Sequence, residues 1–151
     1  MHSHRVNPHT TAPAAMTALR AVETYLHQSG LDPNLIELVK MRASQINGCA
    51  YCLAMHSAAL RKNGESEQRL YLLDAWQESS LYTSRERAAL AWTEAVTRIA
   101  ETHAPDAAYD EVRREFNDKE VADLTILISM INLWNRLAIS MRYEHTVDRA
   151  A

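Results

Sequence analysis

Apolar residues recur at helical spacing along nearly the whole chain. Between Pro13 and Gly30, the residues Ala15, Leu19, Val22 and Leu26 fall on one stripe, with proline opening the helix and glycine closing it. Asp32-Pro33 supplies an N-cap followed by proline at the first helical position, and starts a second helix through "NLIELVKMRASQI" that Asn47-Gly48 ends. A third helix runs from about Cys49 to Asn63-Gly64, and "SEQRLYLLDAW" is a fourth. Thr83 and Glu86 form a Thr-x-x-Glu capping box ahead of "RAALAWTEAVTRIA". Pro105-Asp106 opens a further helix through Phe116, and Asn117 with Glu120 caps a long last one. No stretch alternates over a strand's length, and there is no glycine-rich linker or internal repeat. The pattern predicts an all-α fold, a single-domain bundle of about six or seven helices over residues 13–151, behind a flexible tail of residues 1–12.

The most apolar run, "LTILISMINLWNRLAISM", carries Asn132, Asn135 and Arg136 in its middle. The apolar stretch before them is far shorter than the roughly 20 residues a membrane span needs, so it reads as a buried helix. Ile126, Leu127, Ile128, Ile131, Leu133 and Leu137 put apolar groups on more than one of its faces. A single small domain rarely buries such a helix on all sides, so a homo-oligomer is expected.

Composition narrows the function. The 151 residues are 47% hydrophobic and 23% charged, with a formal charge of −3, which gives no electrostatic footprint for nucleic acid or anionic membrane. The polar opening "MHSHRVNPHTTAPAAM" has no apolar signal core, so a cytoplasmic location is expected. No glycine-rich phosphate loop occurs, and no bound cofactor is indicated. His2, His4 and His9 could bind metal, but histidines in a tail are more often solvated.

The chemistry concentrates in "ELVKMRASQINGCAYCLAMH", which holds both cysteines. In a reducing compartment two cysteines point to catalysis, redox or metal rather than a cross-link. Gly48 leaves almost no loop, so the helices on either side of it should fold as an antiparallel hairpin. Cys49, Cys52 and His56 then share one face at i, i+3 and i+7, and Glu37 comes within about one turn, roughly 5 Å of rise, of the level of His56. Carboxylate, imidazole and thiol in line make a proton relay, in which the imidazole takes the thiol proton and the carboxylate fixes its tautomer. Cysteines at i and i+3 in a first helical turn also lie within disulfide range, about 4.4–6.8 Å between Cα atoms. On spacing alone two other readings stay open. One is a pair of buried core cysteines, and the other a zinc site with Glu37 as fourth ligand. Zinc would want a second Cys/His pair, which is absent, so no metal is expected.

The pattern Glu-x11-Cys-x2-Cys-x3-His, carried by Glu37, Cys49, Cys52 and His56, resembles the alkylhydroperoxidase D-like branch of the carboxymuconolactone decarboxylase family. The segments "RASQINGCAYC", "ERAALAWTEAVT" and "INLWNRLA" share that resemblance. It implies an all-α fold assembled into trimers or hexamers, and reduction of hydroperoxides with an external dithiol as reductant. By the same resemblance Cys52 is the peroxide-attacking cysteine, Cys49 the resolving one, and His56 with Glu37 the relay. Some members carry a further histidine between the cysteines, where this chain has Tyr51. Two alternatives accompany the peroxidase expectation. They are a lactone decarboxylase-like enzyme, whose true members lack the cysteine pair, and an oligomeric redox-sensing module without turnover.

Overall fold

Nine α-helices, α1 to α9, make up the regular structure among residues 5–147, which the computed structural model describes. They are α1 (Pro8–Thr11), α2 (Pro13–His27), α3 (Pro33–Asn47), α4 (Ala50–Lys62), α5 (Glu67–Leu72), α6 (Ser84–Thr97), α7 (Ile99–Thr102), α8 (Asp106–Glu115) and α9 (Asp118–Met141). One 3-10 turn, Leu73–Ala75, follows α5. The all-α class stands, but the count of six or seven helices does not. The two extra helices have four residues each, too short to display a hydrophobic period. Helix α1 lies inside the segment expected to be a tail, where Asn7 caps it and Pro8 occupies its first position. Helix α7 is set apart from α6 by a break at Arg98, and ends at His103 and Ala104, which both take left-handed backbone. His2 and His4 lie outside the described residues.

The strong sequence signals produced the long helices. Asp32 caps α3 by accepting from Leu35 N at 2.9 Å, and both capping boxes, Thr83 with Glu86 and Asn117 with Glu120, are closed in both directions. Helix α3 is the hub, packed on α4, α6 and α9. Its Leu35, Ile36 and Val39 join Ala88, Ala89 and Trp92 of α6 and Leu124, Leu127 and Ile128 of α9 in the main core. The opposite face of α3 sends Leu38 and Met41 into a second core with Leu60, Leu70, Leu73 and Trp76.

Because α3 is enclosed on nearly every side, its cations must be paired, since an unpaired buried charge is severely destabilising. Lys40 Nζ meets Glu23 Oε2 at 2.7 Å, while Arg42 bonds Glu94 at 2.9 Å and Asp74 at 2.6 Å. Trp76 and Trp134 donate to two of these same carboxylates, Glu94 and Glu23.

By length and composition alone α9 would suffice to cross a membrane. Its asparagines are instead bonded into the domain. Asn47 Nδ2 donates to Asn132 Oδ1 (3.0 Å) and Asn135 Oδ1 (2.9 Å), Asn132 donates to Thr97 Oγ1, and Asn135 donates to Ser44 Oγ. This network fixes the last turn of α3, and with it the place where the chain turns into α4. Arg136 donates to the backbone and side-chain oxygens of Asn132 on its own helix.

Candidate active site

The site begins at the turn between α3 and α4. Gly48 takes φ 68°, a left-handed conformation that costs glycine little, and the amide of Cys49 reaches back to Ser44 O at 3.0 Å. The chain reverses without a loop, as the sequence suggested. Cys49 is the N-cap of α4 rather than its first residue, and its Sγ accepts from Cys52 N at 3.3 Å. A sulfur at this position sits where the amide dipoles favour negative charge. Cys49 and Cys52 are joined as a disulfide, with Cα atoms 5.3 Å apart. Both are buried beside Ala138 of α9, with Tyr51 and Tyr143 packed over them.

His56 lies one turn beyond Cys52 on the buried face of α4. Its Nδ1 is 2.8 Å from Glu37 Oε2 on α3. The ionised carboxylate accepts a hydrogen bond from Nδ1–H, so that in the neutral imidazole Nε2 carries the lone pair, and that atom is buried with no hydrogen-bond partner among the described residues. Burial alone would push the Glu37 carboxyl upward. The hydrogen bond donated by His56, helped by the positive charge of Lys40, overcomes this and holds it below the usual glutamate range. Glu37 is thus kept ionised behind the imidazole.

All four residues singled out by spacing are brought together, three on α4 or its cap and one on α3. Sequence reasoning missed the wall around them. A cleft of about 750 Å³ is lined by Cys49, Tyr51, Ala138, Ile139 and Tyr143, with Arg5 and Glu144 at its edge. A second cleft, of about 500 Å³, shares Arg5, Tyr51, Tyr143 and Glu144 and adds His9 of α1. Neither cleft is lined by Cys52. The aromatic rings of Tyr51 and Tyr143 meet edge to face at 5.4 Å. Of the flanking methionines, Met41 is core while Met55 faces outward. No group of three His, Cys, Asp or Glu side chains among the described residues is arranged to hold a metal ion.

A dithiol–disulfide pair beside an imidazole–carboxylate couple is a thiol redox relay. Comparison with known proteins places it. The model of the carboxymuconolactone decarboxylase family matches residues 11–95, which include all four site residues. The uncharacterized protein YdfG of Bacillus subtilis (strain 168) is 42% identical over 139 residues, 92% of this chain and 95% of that protein. A protein of unknown function from Agrobacterium tumefaciens superposes with a TM-score of 0.93 at 46% identity, over 97% of this chain and all of that one (100%). An uncharacterized peroxidase-related protein from Silicibacter sp. TM1040 superposes at 0.77 with 26% identity, covering 87% of this chain and 70% of that one. With its Glu37, Cys49, Cys52 and His56 in the expected spacing, the chain belongs to the carboxymuconolactone decarboxylase family, in its alkylhydroperoxidase D-like branch.

Proposed function

We propose that the protein is a thiol-dependent hydroperoxide reductase, with Cys52 as the attacking and Cys49 as the resolving cysteine. The observation that carries the reading is the buried Nε2 of His56, one turn from Cys52 and without a partner among the described residues, with Nδ1 held by Glu37. The Cys52 thiol gives its proton to His56. The thiolate takes the terminal oxygen of the hydroperoxide, and the O–O electron pair leaves with the alkoxide, which the imidazolium protonates to an alcohol. Cys49 attacks the resulting Cys52 sulfenic acid and displaces hydroxide, which becomes water on protonation, and the disulfide closes. An external dithiol, as the cytoplasm supplies, returns two electrons. Its entry is proposed at Cys49, the cysteine whose residue lines the cleft, with Cys52 leaving as a thiolate toward His56. The Agrobacterium tumefaciens relative is described, provisionally, as the antioxidant defence protein AhpD, which agrees with this reading.

Burial of both sulfurs favours one rival, a redox sensor that oxidises once. Steady-state consumption of cumene hydroperoxide with supplied dihydrolipoamide separates the two. Many turnovers per chain are expected, and a single turnover would leave the sensor. One equivalent of peroxide should remove both free thiols without an intermolecular cross-link.

The working form is proposed to be a homo-oligomer, a trimer or hexamer. Ile126 and Ile139 on α9 and Ile99 on α7 are 42%, 46% and 52% exposed, leaving apolar side chains of both helices at the surface. Light scattering at micromolar concentration should give a mass well above 17.1 kDa, and a mass at that value would refute the assembly.

A further inference from the structure

Tyr143 is placed as though its hydroxyl had a task, yet the relay does not use it. The residue follows α9 directly, and the backbone bends to deliver it. Arg142 takes φ 56° and ψ 54°, a left-handed conformation disfavoured for a residue with a Cβ, and Tyr143 N then bonds Ala138 O at 2.9 Å. This folds the ring back over the cluster of Cys49, Cys52 and Ala138. Tyr51 holds it from one side, and the ring of His9 lies 6.1 Å away on α1. Arg5 ties the segment before α1 to the end of α9 by donating to Ser140 O at 3.1 Å. Within this clamp the Tyr143 hydroxyl is buried with no hydrogen-bond partner among the described residues. A buried hydroxyl without a partner is costly, so a site that holds one points to a partner in another state of the protein.

We infer that Tyr143 is a catalytic hydrogen-bond donor to the thiolate of Cys49, and that reduction of the disulfide creates its partner. Tyr143 and Cys49 line the same cleft. In the disulfide, Cys49 Sγ is tethered to Cys52 and is a weak neutral acceptor. Once reduced, it can turn into the cleft as a thiolate, which accepts strongly from a phenol. Burial, and secondarily Tyr51, push the phenol above the usual tyrosine range, so it remains a protonated donor. The consequence falls on the resolving step. Cys49 thiolate attacks the sulfur of the Cys52 sulfenic acid, the S–O bond breaks, and hydroxide leaves and is protonated. A donor that stabilises the thiolate raises its population at neutral pH. The inference rests on Cys49 being the resolving thiol of the proposed function.

The other titratable and charged groups around Cys49 are Tyr51 and His56 on α4, Arg142, Glu144 and His145 after α9, and Arg5. The test therefore removes a single hydroxyl. In a Cys52→Ser background, the thiolate absorbance of Cys49 is titrated with and without Tyr143→Phe, which keeps the ring and its packing. The midpoint should rise by about one pH unit. In the otherwise wild-type chain, the sulfenic acid trapped on Cys52 after one equivalent of cumene hydroperoxide should persist about tenfold longer in Tyr143→Phe. An unchanged midpoint would overturn the inference. So would an equal shift in Tyr51→Phe, which removes a hydroxyl from the same aromatic pair. If cumene hydroperoxide fails to oxidise even the wild-type chain, the proposed peroxidase falls, while the titration still decides the donor role.

Discussion

In Cys49→Ser, one equivalent of hydroperoxide should convert Cys52 to a trappable sulfenic acid without turnover, whereas in Cys52→Ser the remaining Cys49 should be nearly inert. The structure makes this a sharp test, because Cys49 holds several advantages. It caps α4, accepts the Cys52 amide, and lines the cleft. The dipole contribution, however, is worth only about 0.3–1 kcal/mol, less than one pKa unit at roughly 1.36 kcal/mol. A positioned base typically contributes about 10²–10⁴ in rate. His56 lies one turn beyond Cys52, so the base should outweigh the cap. Peptide mass spectrometry of the trapped adduct checks the assignment. Fast sulfenic acid formation on Cys49 alone would reverse it and strip His56 of its role as base.

His56→Ala should slow peroxide oxidation of Cys52 by about 10²–10⁴. Glu37→Gln should slow it less, because the carboxylate acts only through the imidazole it orients at 2.8 Å. Stopped-flow rates of sulfenic acid formation measure both. Glu37 adds a pH signature in stability. Its folded pKa lies below the unfolded value, so its stabilising contribution is complete above about 4.3, the ordinary glutamate value. It is lost as pH falls through the depressed folded value. The stability gap between wild type and Glu37→Gln should therefore be wide at neutral pH and close in acid. A gap that widens on acidification would contradict the depressed carboxylate.

The relay was legible in the sequence because it is almost local. Glu37 and His56 are 19 positions apart, joined by one turn whose geometry Gly48 dictates. Helical spacing then fixes which side chains share a face. The same locality made the capping boxes at Thr83 and Asn117 readable. Short helices escaped for the converse reason, since α1 and α7 have too few residues for any period to emerge.

By itself, then, the sequence determined the helical class, the hairpin of α3 and α4, and the four-residue relay across it. Their causes are caps, periodicity and a single left-handed glycine, all acting within a few turns. Only the tertiary structure decided what surrounds the sulfurs. Tyr143 reaches the pair from about ninety positions away, past a left-handed Arg142 that no residue preference announces. Helix α1 closes the wall because Arg5 bonds Ser140, a contact spanning 135 positions. Asn47 is bonded to Asn132 and Asn135 across 85 and 88 positions, so the turn that carries Cys49 is seated by the far end of the chain. Contacts of this range leave no local pattern, because they become favourable only after the core has already closed the intervening chain.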